Sequence, residues 1–309
     1  MYHFIVNPNA RSGLGKEVWG DLEKILNLRN IKYEVFFTKY QRHATKIAAQ
    51  ITSDGEEHTI VALGGDGTIG EVVSGLHHPE KVTIGYIPIG SGNDFARGIG
   101  ISKDASVALD TILYSTNHKK LNLGILTYPN KKRRFAVSSG IGYDAAICHQ
   151  VCVSKLKKFL NKLKLGKLAY VGLSLDRLYQ MKPKEATVIL DDEQELHFKE
   201  TFFVTAMNLP YEGGGCKFCP AAKPDDDMLD IIVIADIKKI QAIPILLTVY
   251  SGKHTKLPGV HIYRCKKAEV RSEVPLPVHS DGEPICLQRN VTYTLEETSP
   301  KIILPEARK

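Results

Sequence analysis

Short apolar runs alternate along the first 115 residues with segments whose apolar positions recur every three or four residues. His3–Val6, Tyr33–Thr38, Thr59–Leu63 and Val82–Pro88 read as strands, and Lys16–Arg29, Ala44–Ile51, Thr68–Leu76 and Ala105–Tyr114 as helices. Strands alternating with helices of this length predict an α/β domain built on a mostly parallel sheet covered on both faces. The pattern changes near Leu121. Phe135–Ser138, Glu185–Leu190, Glu195–Lys199, Thr201–Asn208, Leu229–Ala235, Ala268–Ser272 and Val291–Leu295 read as strands, with a hairpin tip at Asp191-Asp192-Glu193. Two helical patterns, Val153–Leu165 and Leu168–Gln180, interrupt them. The second half is therefore expected to be a β-sandwich or distorted barrel. The expected boundaries are residues 1–120 for the α/β domain and 121–295 for the β-rich one. The strand-like Lys301–Leu304 returns residues 296–309 to the first domain.

Composition adds little until charge is located. At 309 residues, 43% apolar and 24% charged, the chain is of globular type. The amino terminus has no basic stretch ahead of an apolar run, and Asp236, Lys238, Lys239 and Pro244 interrupt the best spanning candidate, Ile231–Tyr250. A cytoplasmic protein not integral to a membrane is the expectation. Cys216 and Cys219 form a C-x-x-C, and Cys148 and Cys152 stand four apart. No second ligand pair at zinc-ribbon spacing follows, so reduced, buried thiols are expected. The net charge of +7 is concentrated: residues 153–184 hold nine Lys or Arg and one acid, Asp176. Leu156, Phe159, Leu160 and Leu163 give that segment an apolar helical face with Lys155, Lys157, Lys158, Lys162 and Lys164 around it. Such a helix packs on the sandwich or meets an anionic bilayer, where each Lys contributes about 1 kcal/mol. No nucleic-acid module is present, so nucleic acid is not an expected partner.

The chemistry gathers at strand–helix junctions. Gly64-Gly65-Asp66-Gly67-Thr68 joins an apolar strand to a helix, and three glycines let backbone amides approach a phosphate. It is neither a Walker loop nor a dinucleotide fingerprint. Asp66 facing phosphate calls for a cation, which implies Mg²⁺. Thr68 and Glu71 have capping-box spacing. Asn7-Pro8-Asn9-Ala10-Arg11-Ser12-Gly13 and Ile87–Arg97 follow two other strands, and Asp94 is expected near Asp66 if those strands are neighbours. His3, His43, His58, His77 and His78 show no ligand spacing. His279, two residues before Asp281, is the histidine worth testing, with hydrogen bonding the expected role.

Gly64–Thr68, Pro88–Arg97, Gly140-Ile141-Gly142-Tyr143-Asp144-Ala145, Gly213–Asp230 and Asp281-Gly282-Glu283 stand in the order seen in bacterial diacylglycerol-kinase-like lipid kinases, which the chain resembles over nearly its whole length. The resemblance implies a nucleotide-binding α/β domain, a β-sandwich domain and an active site in the cleft between them. It implies ATP contacts at Asn7, Pro8, Asn9, Ala10, Arg11, Thr38, Gly65, Asp66, Gly67, Thr68, Ile69, Gly70, Glu71 and Ser91. It further implies a Mg²⁺ loop using the Asp226 side chain with the main-chain carbonyls of Lys223 and Met228, and Asp281 as general base toward a lipid hydroxyl. Glu283 is expected on the opposite face, supporting the loop. Gly70 stands where the family usually has Asn, Asp227 where it has Gly, and Asn122 where some members have Asp. The expected activity is ATP-dependent phosphorylation of diacylglycerol or a related lipid, from a peripheral position on the inner face of the membrane. The alternatives are a NAD kinase-like enzyme and a catalytically weak lipid-binding regulator. An exposed sandwich edge makes a homodimer compatible with this fold.

Overall fold

The computed structural model describes residues 1–129, 131–147 and 178–306. Cys148, Cys152, the amphipathic helix expected at Val153–Leu165 and most of that expected at Leu168–Gln180 lie outside the described residues.

The first sheet has the order β2-β1-β3-β4-β17-β5, from β1 (Tyr2–Val6), β2 (Tyr33–Phe37), β3 (His58–Gly64), β4 (Val82–Pro88), β5 (His118–Lys120) and β17 (Lys301–Ile303). All its pairings are parallel except β17 with β5. The central strands β1, β3 and β4 are buried almost throughout, as a sheet covered on both faces requires. Helices α1 (Leu14–Leu28) and α5 (Ala105–Tyr114) pack together, as do α2 (His43–Ile51) and α3 (Asp66–Gly75), so each pair covers one face. Trp19 of α1 seats its ring 5.1 Å from that of Phe4 in β1. A short α4 (Asp94–Ile99) follows β4.

The second sheet begins with the hairpin β6 (Gly124–Tyr128) and β7 (Lys131–Phe135), then β8 (Ser138–Gly142). The strand expected across Phe135–Ser138 is instead a break between β7 and β8, because the amides of residues 136–138 turn toward Asp281. Conversely, two expected strands fuse into the 14-residue β10 (Gln194–Met207), which pairs with β9 (Lys184–Leu190), β8 and β11 (Leu229–Ala235). Its register shifts where the Lys199 and Glu200 amides donate to Asp236. The remaining strands are β12 (Val260–Cys265), β13 (Lys267–Leu276), β14 (Val278–Ser280), β15 (Glu283–Pro284) and β16 (Gln288–Leu295). Leu126 of β6, Val204 of β10 and Val278 of β14 share one apolar cluster although they stand far apart in strand order, so the sheet curls around a common core. The opposite face of β10 and β11, through Phe203, Met207, Ile232 and Ile234, packs with α6 (Lys239–Thr248). Ile231–Tyr250 is thus a strand and a helix, and no helix among the described residues is long and apolar enough to cross a membrane.

Helices α2 and α3 touch through Gly75, where a Cβ would stand 2.1 Å from the Thr45 carbonyl oxygen. Gly75→Ala is expected to cost about 1–3 kcal/mol through overpacking. Thermal unfolding should show a drop of several degrees in Tm; an unchanged Tm would mean the helices separate freely.

Candidate active site

The carboxyl ends of β1, β2, β3 and β4 carry four adjoining turns, the usual ligand position in a sheet of this kind. After β3, Gly64 and Gly65 lead into α3. That helix begins at Asp66 with Gly65 as its N-cap and no capping side chain. The capping box expected at Thr68 and Glu71 is absent, because the helix starts two residues earlier. Instead the Glu71 carboxylate caps α2, accepting the Arg42 amide at 2.8 Å and the Ala44 amide at 3.1 Å. The Thr68 amide donates to the Gly65 carbonyl at 2.9 Å, which leaves the Asp66 and Gly67 amides and the positive end of α3 for an anion.

Two glycines let the turns after β3 and β4 meet. A Cβ at Gly90 would lie 2.7 Å from the Gly65 Cα, and the Ile89 amide donates to the Gly64 carbonyl at 2.8 Å. The turn after β1 joins them through the Asn7 amide group, which donates to Thr68 Oγ1 at 3.3 Å, while Asn7 Oδ1 accepts the Asn9 amide. Pro8, Asn9, Ala10 and Arg11 continue that turn, with Arg11 and Ser12 in the left-handed region. Thr38 anchors the end of β2 by donating its amide to Val6. Ser91 is exposed at the rim, whereas Ile69 faces the core and offers only backbone to a ligand.

Asp66 and Asp94 approach as the neighbouring strands require. Their Oδ2 atoms lie 3.2 and 3.5 Å from the position of a Cβ at Gly92. Asp66 accepts the Phe95 amide at 3.0 Å, and Asp94 accepts the Gly214 amide at 2.6 Å from the second domain. Burial, reinforced by Asp66, pushes Asp94 up to about 6. A divalent cation accompanying a nucleotide would relieve that repulsion.

On the acceptor side, Asp281 and Gly282 form the two-residue turn between β14 and β15, with φ of 48° and 74°. Asp281 Oδ1 accepts the amides of Val137 (2.8 Å) and Ser138 (3.2 Å), and Oδ2 that of Ala136 (2.9 Å). Burial raises this carboxyl above the ordinary range although the three amides and Arg133 oppose the shift. Asp281 Oδ2 also lies 3.1 Å from where Gly70 of α3 would carry a Cβ. Gly70, where the family resemblance leads one to expect Asn, thus faces Asp281, one helical turn from Gly67.

A cavity of about 790 Å³ opens at this contact. One wall is the α3 stripe Gly67, Gly70, Glu71 and Ser74, spaced to share a helix face. The other comes from β6, β7 and the residues around β15, including Lys131, Lys132 and Ile285. Glu283 does not point away, as an extended segment would require; the tight turn brings it to the same cavity, where it pairs with Arg133 and accepts from Gln41 at 3.4 Å.

The description Diacylglycerol kinase catalytic domain matches residues 1–124, and YegS C-terminal NAD kinase beta sandwich-like domain matches residues 137–303. The chain belongs to the diacylglycerol kinase-like lipid kinases. Within this family, YtlR of Bacillus subtilis, named as a lipid kinase, is 29% identical over 287 residues, covering 91% of this chain and 93% of the relative. A diacylglycerol kinase of Staphylococcus saprophyticus is 27% identical over 281 residues, covering 90% and 87%. A Bacillus anthracis structure described as a diacylglycerol kinase shares the fold, with a TM-score of 0.77 at 24% identity over 99% and 95% of the two chains. The lipid kinase is thus a phosphotransferase with an alcohol group as acceptor, and its two-domain fold is the one expected from the residues.

In this lipid kinase the loop implied to hold Mg²⁺ is tied to the first domain. Lys119 pairs with Asp225, Lys120 with Asp227, and Asn122 exchanges two hydrogen bonds with Asp227. Asp226 accepts the Met228 amide at 3.2 Å and meets Arg264 at 2.5 Å. Asp230 beside it is buried with Oδ2 unpartnered, and burial lifts it to about 6. An orphaned carboxylate oxygen beside a second carboxylate suits a hard cation. Asp226 and the main-chain carbonyls of Lys223 and Met228 would hold it, with Arg264 supplying positive charge otherwise. Such an ion would brace the loop against β5 and β6.

Residue-by-residue reading missed Glu212 and the bond between Asp94 and Gly214, although both belong to glycine-rich stretches visible in the sequence. Cys216 and Cys219 are buried and free, and burial lifts the Cys216 thiol to about 12, which leaves it inert. If the loop binds Mg²⁺, a concentration ten times Kd stabilises the protein by about 1.4 kcal/mol. Tm should rise with added Mg²⁺ and fall back with chelator, and Asp226→Asn should abolish the rise. A Tm indifferent to Mg²⁺ would remove the ion from this loop.

Proposed function

We propose that the protein transfers the γ-phosphate of ATP to the hydroxyl of diacylglycerol or a related lipid, with Mg²⁺. The observation that carries this reading is the contact between Asp281 and Gly70. It sets an acceptor-side carboxylate one helical turn from the uncapped, anion-attracting start of α3.

Phosphoryl transfer depends on positioning and charge neutralisation more than on covalent help from the protein. The turns at Asn7–Arg11, Gly65–Thr68 and Ser91 would hold the nucleotide, with Thr38 closing the end of β2. Bound Mg²⁺ would neutralise phosphate charge. Asp281 would take the proton of the lipid hydroxyl as its oxygen bonds to the γ-phosphorus and the bond to the ADP oxygen breaks. Its raised proton affinity, caused by burial, suits a base. Glu283 is a second candidate: Asp281 already accepts three amides, whereas Glu283 lines the cavity with side-chain partners alone.

The cavity wall also bears on the membrane. Lys131 and Lys132 are exposed and have no side-chain partner among the described residues. With the basic segment 153–184 they favour peripheral binding to an anionic leaflet, as on the cytoplasmic face of a membrane.

ATP consumption with mixed lipid vesicles, and separately with NAD, tests the activity. Turnover on lipid is expected; turnover on NAD alone would overturn the reading, and none on any lipid would favour a regulatory role. Asp281→Asn is expected to lower kcat about a hundredfold or more while leaving ATP binding intact. Glu283→Gln should have the smaller effect; the reverse order would pass the role of base to Glu283. Lys131→Ala/Lys132→Ala should weaken sedimentation with anionic vesicles, and unchanged sedimentation would remove these lysines from the interface.

A further inference from the structure

Behind the Asp281 turn lies a polar cluster that the reaction as described does not use. His279, Asp144 and Glu212 are 0%, 2% and 5% exposed, and one ligand atom of each lies within 4.8 Å of the others. His279 Nε2 is 2.8 Å from Asp144 Oδ2 and 3.3 Å from Glu212 Oε1. On the other side of the ring, the Gly282 amide donates to Nδ1 at 3.3 Å. That donor fixes the tautomer: Nδ1 presents a lone pair, and Nε2 carries the proton given to Asp144. A metal on Nε2 would require an imidazolate, so the cluster is a proton-holding site rather than a metal centre.

The remaining carboxyl decides the charge. Neither Glu212 oxygen has a hydrogen-bond partner of ordinary geometry, although the Ser138 hydroxyl faces the group, and Asp144 stands close by. Two buried carboxylates beside one neutral imidazole favour retention of a further proton, which sits on Glu212 and keeps Nδ1 free for Gly282. Burial, then Asp144, raises Glu212 above the ordinary carboxyl range. At His279 burial opposes a positive charge, but Glu212 and Asp144 outweigh it and raise the proton affinity of the ring; the cluster holds one extra proton in all, and the Gly282 amide at Nδ1 places it on Glu212. The other titratable groups facing this pocket are Asp281, Asp94, Tyr293 and Cys216. Space for the cluster depends on Gly140, where a Cβ would lie 2.7 Å from His279 Nε2 and 2.9 Å from Asp144 Oδ2.

The cluster touches both halves of the site. His279 holds Gly282, the residue that sets the Asp281–Glu283 turn. Glu212 opens the loop whose Gly214 amide binds Asp94 at 2.6 Å, beside Asp66 of the phosphate turn. We propose that Asp144, His279 and Glu212 form a buried positioning relay that fixes the Asp281–Glu283 turn and links it, through Glu212 and Gly214, to Asp94 on the nucleotide side. This rests on the kinase reading for its effect on turnover, though not for its existence. As pH rises and the shared proton leaves, two ionised carboxylates face each other in a buried pocket, and the turn loses its support. Because burial raises Glu212 above its unfolded value, the stabilisation is full below the ordinary glutamic acid range, declines as pH rises above it, and is gone once the proton has left.

The test compares the parent enzyme with Glu212→Gln and His279→Gln, following kcat and KM for lipid and ATP against pH. The parent should lose kcat on the alkaline side as the cluster gives up its proton, and Glu212→Gln should flatten that limb. His279→Gln should lower kcat about tenfold with the KM for ATP unchanged. An alkaline limb identical in Glu212→Gln, or full kcat in folded His279→Gln, would overturn the proposal. Ring ¹⁵N shifts of His279 in the unaltered protein give a separate reading. A proton on Nε2 supports the relay, and a proton on Nδ1 alone overturns it. Absence of turnover on every lipid would sink the kinase reading while the ¹⁵N measurement still judged the relay.

Discussion

The site depends on one half-buried carboxylate held against backbone. Asp281 accepts three successive amides from the break between β7 and β8 and presses against Gly70 of α3. Charge-assisted bonds of this kind are short and strong, and losing the acceptor would strand three buried donors. The break in the strand, the left-handed turn at Asp281 and Gly282, and the bare face of α3 meet at this carboxylate.

From that contact the division of labour follows. The α/β domain contributes backbone: uncapped amides at the start of α3 and glycines that let two turns touch. The β-rich domain contributes carboxyl groups at set positions, with Arg133 and the lysines of β7 around them. Bonds and contacts that run directly between the two fall at decisive places, including Asp94 with Gly214, Lys120 with Asp227, and Asp281 beside Gly70. Displacement of one domain by about an ångström would separate acceptor from donor, which is where such reactions are most sensitive.

The departures from the family pattern take on a different meaning in three dimensions. Gly70 lies directly against the Asp281 carboxylate. Asp227 adopts a φ of 58°, which explains why glycine is usual there, and its carboxylate is recruited by Lys120 and Asn122. Asn122, lacking the charge of Asp, bonds both the Asp227 amide and its carboxylate. The substitutions at 122 and 227 therefore complement each other.

By itself the sequence determined the elements whose periodicity is strong. Val82–Pro88, Ala105–Tyr114 and Leu229–Ala235 appear with the bounds their patterns imply, and the phosphate turns sit where glycines interrupt apolar strands. Those features are local, set by propensity and by the need to bury one face. Tertiary structure alone decided what depends on distant partners: that Glu71 caps α2, that residues 136–137 leave the strand, that Glu283 turns into the cavity, and that His279 meets Asp144 and Glu212. Each is a polar group choosing a partner tens to hundreds of residues away. Burial enforces that choice, since an unpaired polar group costs more there than an irregular strand or a left-handed turn.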